Sequence, residues 1–300
     1  MNNNIATIDT DNFAIMSQSM GMTADVSQKK QTSTLNRLKI SHSPIMGEVE
    51  VKGKKTQAAL VNGGVYKLDD LENDTSYYSD TVTIRPYIQR FMYKKYVKPD
   101  NENGFYVKTV MSEGLNNDLK DNMGGFNCGK PSGWIEDFNS LPDASKELIR
   151  SIKRVRVVLG NIELKNPKDA DGNDIEVGVT PFIWEVENRD AFKTVGEVFT
   201  SLAKQKRLPV QHNVTLNTQE RKLPNGNSFY LPVTTLDTSS TVELTKDDQV
   251  KFSEFIAWVT NYNEYIINAY AEKATQKDDE MLDDIGVAEI VDIELEEEVA

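Results

Sequence analysis

The chain is short of the residues that build covalent or metal frameworks. Its 300 residues hold one cysteine, Cys128, and two histidines, His42 and His212. A lone thiol cannot close an internal disulfide, and without a CxxC pair no zinc knuckle forms. A His/Cys metal site would have to gather ligands from distant parts of the chain. Long apolar runs are missing as well. None approaches the roughly 18 residues of a spanning helix, and Met1-Asn-Asn-Asn lacks the basic and apolar regions of a signal peptide. These absences predict a soluble cytoplasmic protein with no membrane partner, no metal and no cofactor.

Catalytic signatures are equally scarce. There is no Gly-x-Ser-x-Gly elbow and no carboxylate pair in a diagnostic context. Gly124 to Pro131 matches G-x-x-x-x-G-K, but Pro131 offers neither a hydroxyl for Mg²⁺ nor an amide hydrogen for a phosphate. That stretch reads as a structural turn or as a mobile flap carrying Phe126 and Trp134. Asp169, Asp171 and Asn173 alternate as in a calcium loop, yet Asp174 and Thr180 stand where Gly and Glu are required. Nothing in the pattern brings His42 or His212 to Cys128 to make it a nucleophile. The chain is expected not to be an enzyme.

What is present is charge, unevenly placed. The formal net charge of −13 argues at first against a nucleic-acid partner, because phosphate contacts need basic surface. Eleven of the 47 acids fall after Lys277, however, so residues 1–277 hold 36 acids against 34 bases. The acidity belongs to one end: Asp278, Asp279, Glu280, Asp283, Asp284, Glu289, Asp292, Glu294, Glu296, Glu297 and Glu298, interleaved with apolar residues. Such a segment is a solubilising tail, a tethered competitor for a basic groove, or a grip for a partner protein.

The composition changes along the chain predict four parts. Residues 1–34, rich in Asn, Ser, Thr and Gln, read as a flexible arm. Residues 35–244 read as a mainly β (α+β) body of short strands, with turn signals between them. Hairpins are expected across Asn62-Gly63-Gly64 and across Pro224-Asn225-Gly226, and further strands at 81–97, 105–111, 152–164 and 181–186. An inserted helix is expected over Asp190 to Arg207, with Phe192, Val195, Phe199 and Leu202 on one stripe. A second helix is expected over 245–276, opened by Thr245 and Asp248, with Phe252, Phe255, Ile256, Val259, Ile266 and Tyr270 on its buried face. Residues 277–300 are expected as a disordered acidic tail.

The informative stretch is Arg85 to Lys98, with five basic residues, four aromatics and no acid. As a strand it would put Val82, Ile84, Ile88 and Met92 on one face and Arg85, Tyr87, Gln89, Phe91, Tyr93 and Lys95 on the other. Pro86 marks an edge or a bulge. Arg154 with Arg156, and Tyr106 with Lys108, repeat the arrangement on two further strands. Cations that track a backbone beside flat rings that stack on bases suit single-stranded nucleic acid. The expected contacts are Arg85, Tyr87, Arg90, Phe91, Tyr93, Lys94, Lys95, Tyr106, Lys108, Arg154 and Arg156.

A β-rich body with basic aromatic strands at 85–98 and 152–159, a C-terminal helix and an acidic end from Asp278 resembles the single-stranded DNA-binding proteins of tailed phages. The resemblance implies an OB-fold-like β-barrel whose groove takes single strands without sequence preference. It also implies a tail that contacts replication proteins, such as DNA polymerase and helicase-primase, through acids including Asp278, Asp279, Asp283, Asp284, Glu294, Glu296, Glu297 and Glu298. A homodimer is a further possibility. Two departures stand out: the chain ends Glu298-Val299-Ala300 rather than on an aromatic residue, and it lacks the ligands of the zinc site some members carry. A virion or regulatory interaction protein that docks through its ends is the alternative.

Overall fold

The computed structural model describes residues 34–51, 53–99, 103–133, 135–223 and 226–297. The arm expected at 1–34 lies outside them except for Thr34. The protein is mainly β, built on one large mixed sheet. In chain order its strands are β1 (Asn36–Ser41), β2 (Ile45–Val51), β3 (Lys54–Val61), β4 (Val65–Asp70), β5 (Thr75–Ser79), β6 (Thr81–Val97), β7 (Phe105–Lys108), β8 (Ile152–Lys165), β9 (Thr180–Val186), β10 (Val214–Lys222) and β11 (Ser228–Leu236). Among the described residues three α-helices accompany them: α1 (Asp143–Ser151), α2 (Arg189–Lys204) and α3 (Lys246–Glu297).

The large sheet runs β11-β10-β6-β8-β9-β1-β4-β5, with β7 added to the free end of β6. All its pairs are antiparallel except β1 with β9. The ladder does not close into a barrel. The sheet curls instead, so that β4 meets the β10–β11 hairpin through side chains. Tyr66 donates its hydroxyl to the Asn217 carbonyl at 3.0 Å, and the Thr218 hydroxyl donates to the Gly64 carbonyl. The Tyr230 amide donates to His42 Nδ1 at 3.1 Å.

Each face of the sheet has its own core. In β8, alternation sends Val158, Ile162 and Leu164 toward α2 and Val155, Val157 and Leu159 toward α3. Helix α2 starts on Asn188, whose side chain accepts from the amides of Asp190 (2.8 Å) and Ala191 (3.2 Å). Its buried stripe is Ala191, Val195, Val198 and Leu202, with Phe192 and Phe199 at the margins, a small rotation from the expected stripe. Helix α3 opens with a reciprocal box in which the Asp248 amide donates to Thr245 Oγ1 and the Thr245 amide to Asp248 Oδ2. It buries Phe255, Val259 and Ile266, whereas Phe252 faces solvent.

Two expectations about organisation change. The turn at Asn62-Gly63-Gly64 exists, with Gly64 at φ +83°, but it joins no hairpin. β3 pairs with β2 in a separate two-stranded ribbon, while β4 pairs with β1 and β5. Turn chemistry sets a reversal and leaves open which strand the returning chain finds. Beyond Lys277, where a disordered tail is expected, the backbone of α3 stays helical to Glu297. That segment has no proline, and its five Glu residues favour helix. No helix among the described residues is long and apolar enough to cross a membrane.

Candidate nucleic-acid interface

The face that β6 presents is decided by a bulge. Pairing with β8 runs Pro86 against Gly160 and then Ile88 against Leu159, so Tyr87 is an extra residue on the β6 side. Pro86 falls between the part of β6 that pairs with β10 (Val82 to Ile84) and the part that pairs with β7 (Lys94 to Val97), where its missing amide hydrogen breaks no ladder. Gly160 is required opposite, because a Cβ there would collide with the Arg85 carbonyl. One inserted residue swaps every later side chain to the other face. Val82 and Ile84 therefore join the α2 core while Ile88 and Met92 join the α3 core.

This re-sorting moves most of the expected contacts indoors. Arg85 and Tyr87 form a latch for α3: Arg85 donates through Nη1 to Asp248 at 2.9 Å and through Nε to the Val210 carbonyl at 2.6 Å, and the Tyr87 hydroxyl donates to the same Asp248. The Tyr87 ring lies 5.4 Å from Phe255 and is buried. Burial, set against the hydrogen bonds from Tyr87, Thr245 and Arg85, leaves the Asp248 carboxyl well below the usual carboxylate range. Arg156 is roofed by α2, where Gly196 leaves room for its guanidinium. It lies 4.5 Å from the Phe192 ring and 4.9 Å from that of Phe91, and it donates to the Phe192 carbonyl at 3.2 Å and to the Gln89 side chain. Burial lowers its pKa to about 10. Tyr93 sits in a third core with Val107, Leu119, Cys128 and Ile152. Phe91 is half-buried, 6.0 Å from Phe192.

The remaining expected residues divide between the two faces. Arg90 lines a cleft beside α3, with Glu113 at 3.6 Å. Arg154 is exposed and Lys95 half-exposed, both on the face of Tyr93. On the α3 face, pairing sets Lys108 opposite Lys94 and Lys94 opposite Lys153, a row of three lysines across three strands. Two residues further along, Tyr106 pairs with Tyr96, and their rings are 5.1 Å apart. These rings are 48% and 52% exposed, respectively, so a flat ligand can reach them. Lys94 Nζ lies 4.5 Å from the Tyr106 ring and Lys108 Nζ 5.9 Å from it.

Two carboxylates attend this row. Lys94 Nζ contacts Glu185 at 2.8 Å and Glu187 at 2.5 Å, and Lys108 Nζ lies 3.7 Å from Glu185. Burial opposes the Lys94 charge, but the two carboxylates outweigh it and raise its pKa; for Lys108 burial prevails and the pKa is lowered. Burial would raise the Glu185 pKa, yet Lys108, Lys94 and Arg37 hold it below its ordinary value. On helix α3 the Trp258 and Tyr262 rings stack at 6.0 Å against the core, and Tyr265 is exposed.

Sequence pattern alone misses Tyr96, Lys153 and Arg37 as members of this surface. Tyr96 lies inside the basic aromatic stretch, but regular alternation assigns it to the core face. The others become neighbours only through pairing.

The other motifs are structural. Asp121 organises the glycine-rich loop by accepting from the amides of Met123 (3.0 Å), Gly125 (2.9 Å) and Cys128 (3.1 Å). The loop leans on α3, with Phe126 5.5 Å from Tyr270, while Trp134 lies outside the described residues. Burial, helped by the Asp121 charge, pushes the Cys128 thiol up to about 12, so it stays protonated at neutral pH. Asp169 accepts from the amides of Asp171 and Asn173 and from the Asn173 side chain, which closes its own loop. Among the described residues no group of three or more His, Cys, Asp or Glu is placed to hold a metal ion. Comparison with protein-family models, with curated proteins and with solved structures finds no match for this chain.

Proposed function

We propose that the chain binds single-stranded nucleic acid without catalysing a reaction, as a coat for single-stranded DNA in replication, recombination or repair. The observation that carries this reading is the row Lys108–Lys94–Lys153 beside the exposed Tyr106–Tyr96 pair. Lysines meet successive phosphates while the rings stack on bases, at about 1–3 kcal/mol per base. A curled sheet whose ends meet through side chains is compatible with an OB-like framework, in which one sheet face and its loops take up the strand. In this reading the acidic segment from Asp278 competes for the lysine row and offers replication proteins, such as a polymerase or helicase-primase, a contact. A second copy of the chain is a further partner.

Titration of labelled oligo-dT at several salt concentrations, beside duplex DNA, tests the reading. Three or four neutralised phosphates, each contributing about −0.7, give a log–log salt slope of about −2 to −3. A slope near zero overturns it. Removing Asp278 to Ala300 is expected to tighten binding at low salt, and unchanged affinity rejects a competing tail.

The alternative, an interaction protein of a virion or a regulatory complex, draws support from the β2–β3 ribbon. That ribbon stands apart from the large sheet and is exposed over much of its length. The alternative predicts stable assembly without nucleic acid and no response to an oligonucleotide.

A further inference from the structure

Three lysines set directly across from one another repel, and a sheet keeps such a row only if something offsets the charge. Glu185, at the end of β9, and Glu187 beyond it do so here. Lys94 Nζ donates to a Glu185 oxygen at 2.8 Å, within the range of a charge-assisted hydrogen bond to a phosphate oxygen, and also contacts a Glu187 oxygen. Glu185 is also within 3.7 Å of Lys108 and so is shared by two lysines. Glu187 contacts Lys94 and is the more exposed of the pair, at 37% against 27% of its side chain.

We propose that Glu185 and Glu187 occupy, in the free protein, the seats that backbone phosphates take in the complex, so that the folded body carries its own phosphate mimic on the lysine row. The inference rests on the single-strand reading above and adds a competitor separate from the acidic C-terminal segment. Glu187 is the carboxylate that leaves when a strand arrives, while Glu185 stays between Lys94 and Lys108. A ligand with one phosphate merely exchanges one anion for another at Lys94. A polynucleotide also engages Lys153, Lys108 and the tyrosine pair, so it displaces Glu187 and a mononucleotide does not.

The test compares the full wild-type chain with Glu187→Gln by titration of labelled oligo-dT at several salt concentrations, with thermal melting to confirm folding. Glu187→Gln is expected to bind roughly three- to tenfold tighter at low salt. Its log–log slope is expected to be steeper by about 0.7, because in the wild type the displaced Glu187 takes up a cation that offsets one released from the strand, and the glutamine of Glu187→Gln does not. Glu163→Gln, an exposed acid on β8 far from the row, controls for net charge and is expected to leave the slope unchanged. The double variant Lys94→Gln/Glu187→Gln removes both partners and is expected to lose the gain. A slope for Glu187→Gln equal to that of the wild type or of Glu163→Gln overturns the mimic. If neither the wild type nor Glu187→Gln binds oligonucleotide, the single-strand reading falls and the mimic with it, whereas a wild type that binds with an unchanged Glu187→Gln slope overturns the mimic alone.

Discussion

The middle of the β6–β8 pair and its open end beside β7 are made of the same kinds of residue, cations and aromatic rings between valines. In the middle, Arg156 lies under α2 among Phe91 and Phe192, and Arg85 and Tyr87 are locked to Asp248 of α3. At the end, Tyr96 and Tyr106 stay open to solvent beside Lys94, Lys108 and Lys153. The difference teaches that a cation on an alternating strand acquires a role from what covers the strand. A buried Arg whose donors are spent on a carbonyl, an amide oxygen and ring faces is a packing element. The same chemistry left uncovered keeps its rings open to solvent.

Mutations should separate the two regions. The largest effect is expected from Asp248→Ala, which strips the shared acceptor from Arg85 and Tyr87 and leaves a buried cation unpaired. It should lower unfolding stability by about 3–5 kcal/mol, read from the denaturant midpoint. A loss below about 1 kcal/mol would deny the latch. Next, Arg156→Ala should cost about 2–4 kcal/mol of stability and leave oligonucleotide affinity per folded molecule unchanged, since it empties space beneath α2. A clear loss of affinity in a variant that is still folded would return Arg156 to the interface.

At the open end the pattern reverses. Tyr106→Ala should cost about 1–3 kcal/mol of binding with little change in melting temperature. An unaltered titration curve would remove the ring pair from the site. Acid should sharpen the contrast in another way. Burial would raise the Asp69 pKa, but bonds from Lys39, Lys67 and Ser76 bring it down to about 2. A carboxyl depressed in the folded state contributes stability above its unfolded pKa of about 4 and loses it as pH falls toward 2. Asp69→Asn should therefore flatten the decline of stability between about pH 4 and pH 2, and an identical decline in both proteins would argue against the Asp69 pairings. The smallest effect is expected from Asn188→Ala, which removes the cap of α2 at about 1 kcal/mol. No shift in the denaturant midpoint would show that the cap is dispensable.

Much of the scaffold was legible in the residues. β6 spans the expected Thr81–Val97, β8 and β9 agree within a residue, α2 starts one residue before the expected Asp190, and α3 starts at its expected cap. Short elements with weak signals were not legible. α1 has no Ser, Thr, Asn or Asp at its N-cap, which is Pro142, and β1, β2 and β5 are brief. The candidate site was legible in composition but not in position. Of the expected residues, Lys94, Tyr106 and Lys108 fall together at the open end, with Lys94 itself only 9% exposed beneath its carboxylates, whereas Tyr87, Tyr93 and Arg156 pack into cores, and Tyr96 and Lys153 join the row through pairing.

The sequence by itself determined that the protein is β-rich, that its acid is gathered at one end, and that it carries one long basic aromatic strand. Those properties are local: they follow from alternation, turn residues and the order of charges along the chain. Only the tertiary structure decided which residues of that strand face outward. An extra residue at Tyr87 reverses the faces, and two helices cover the middle of the strand but not its end. Both depend on what distant segments do, with Gly160 across the ladder, Gly196 above Arg156 and Asp248 above Tyr87, and no local pattern at 85–98 encodes where those partners will stand.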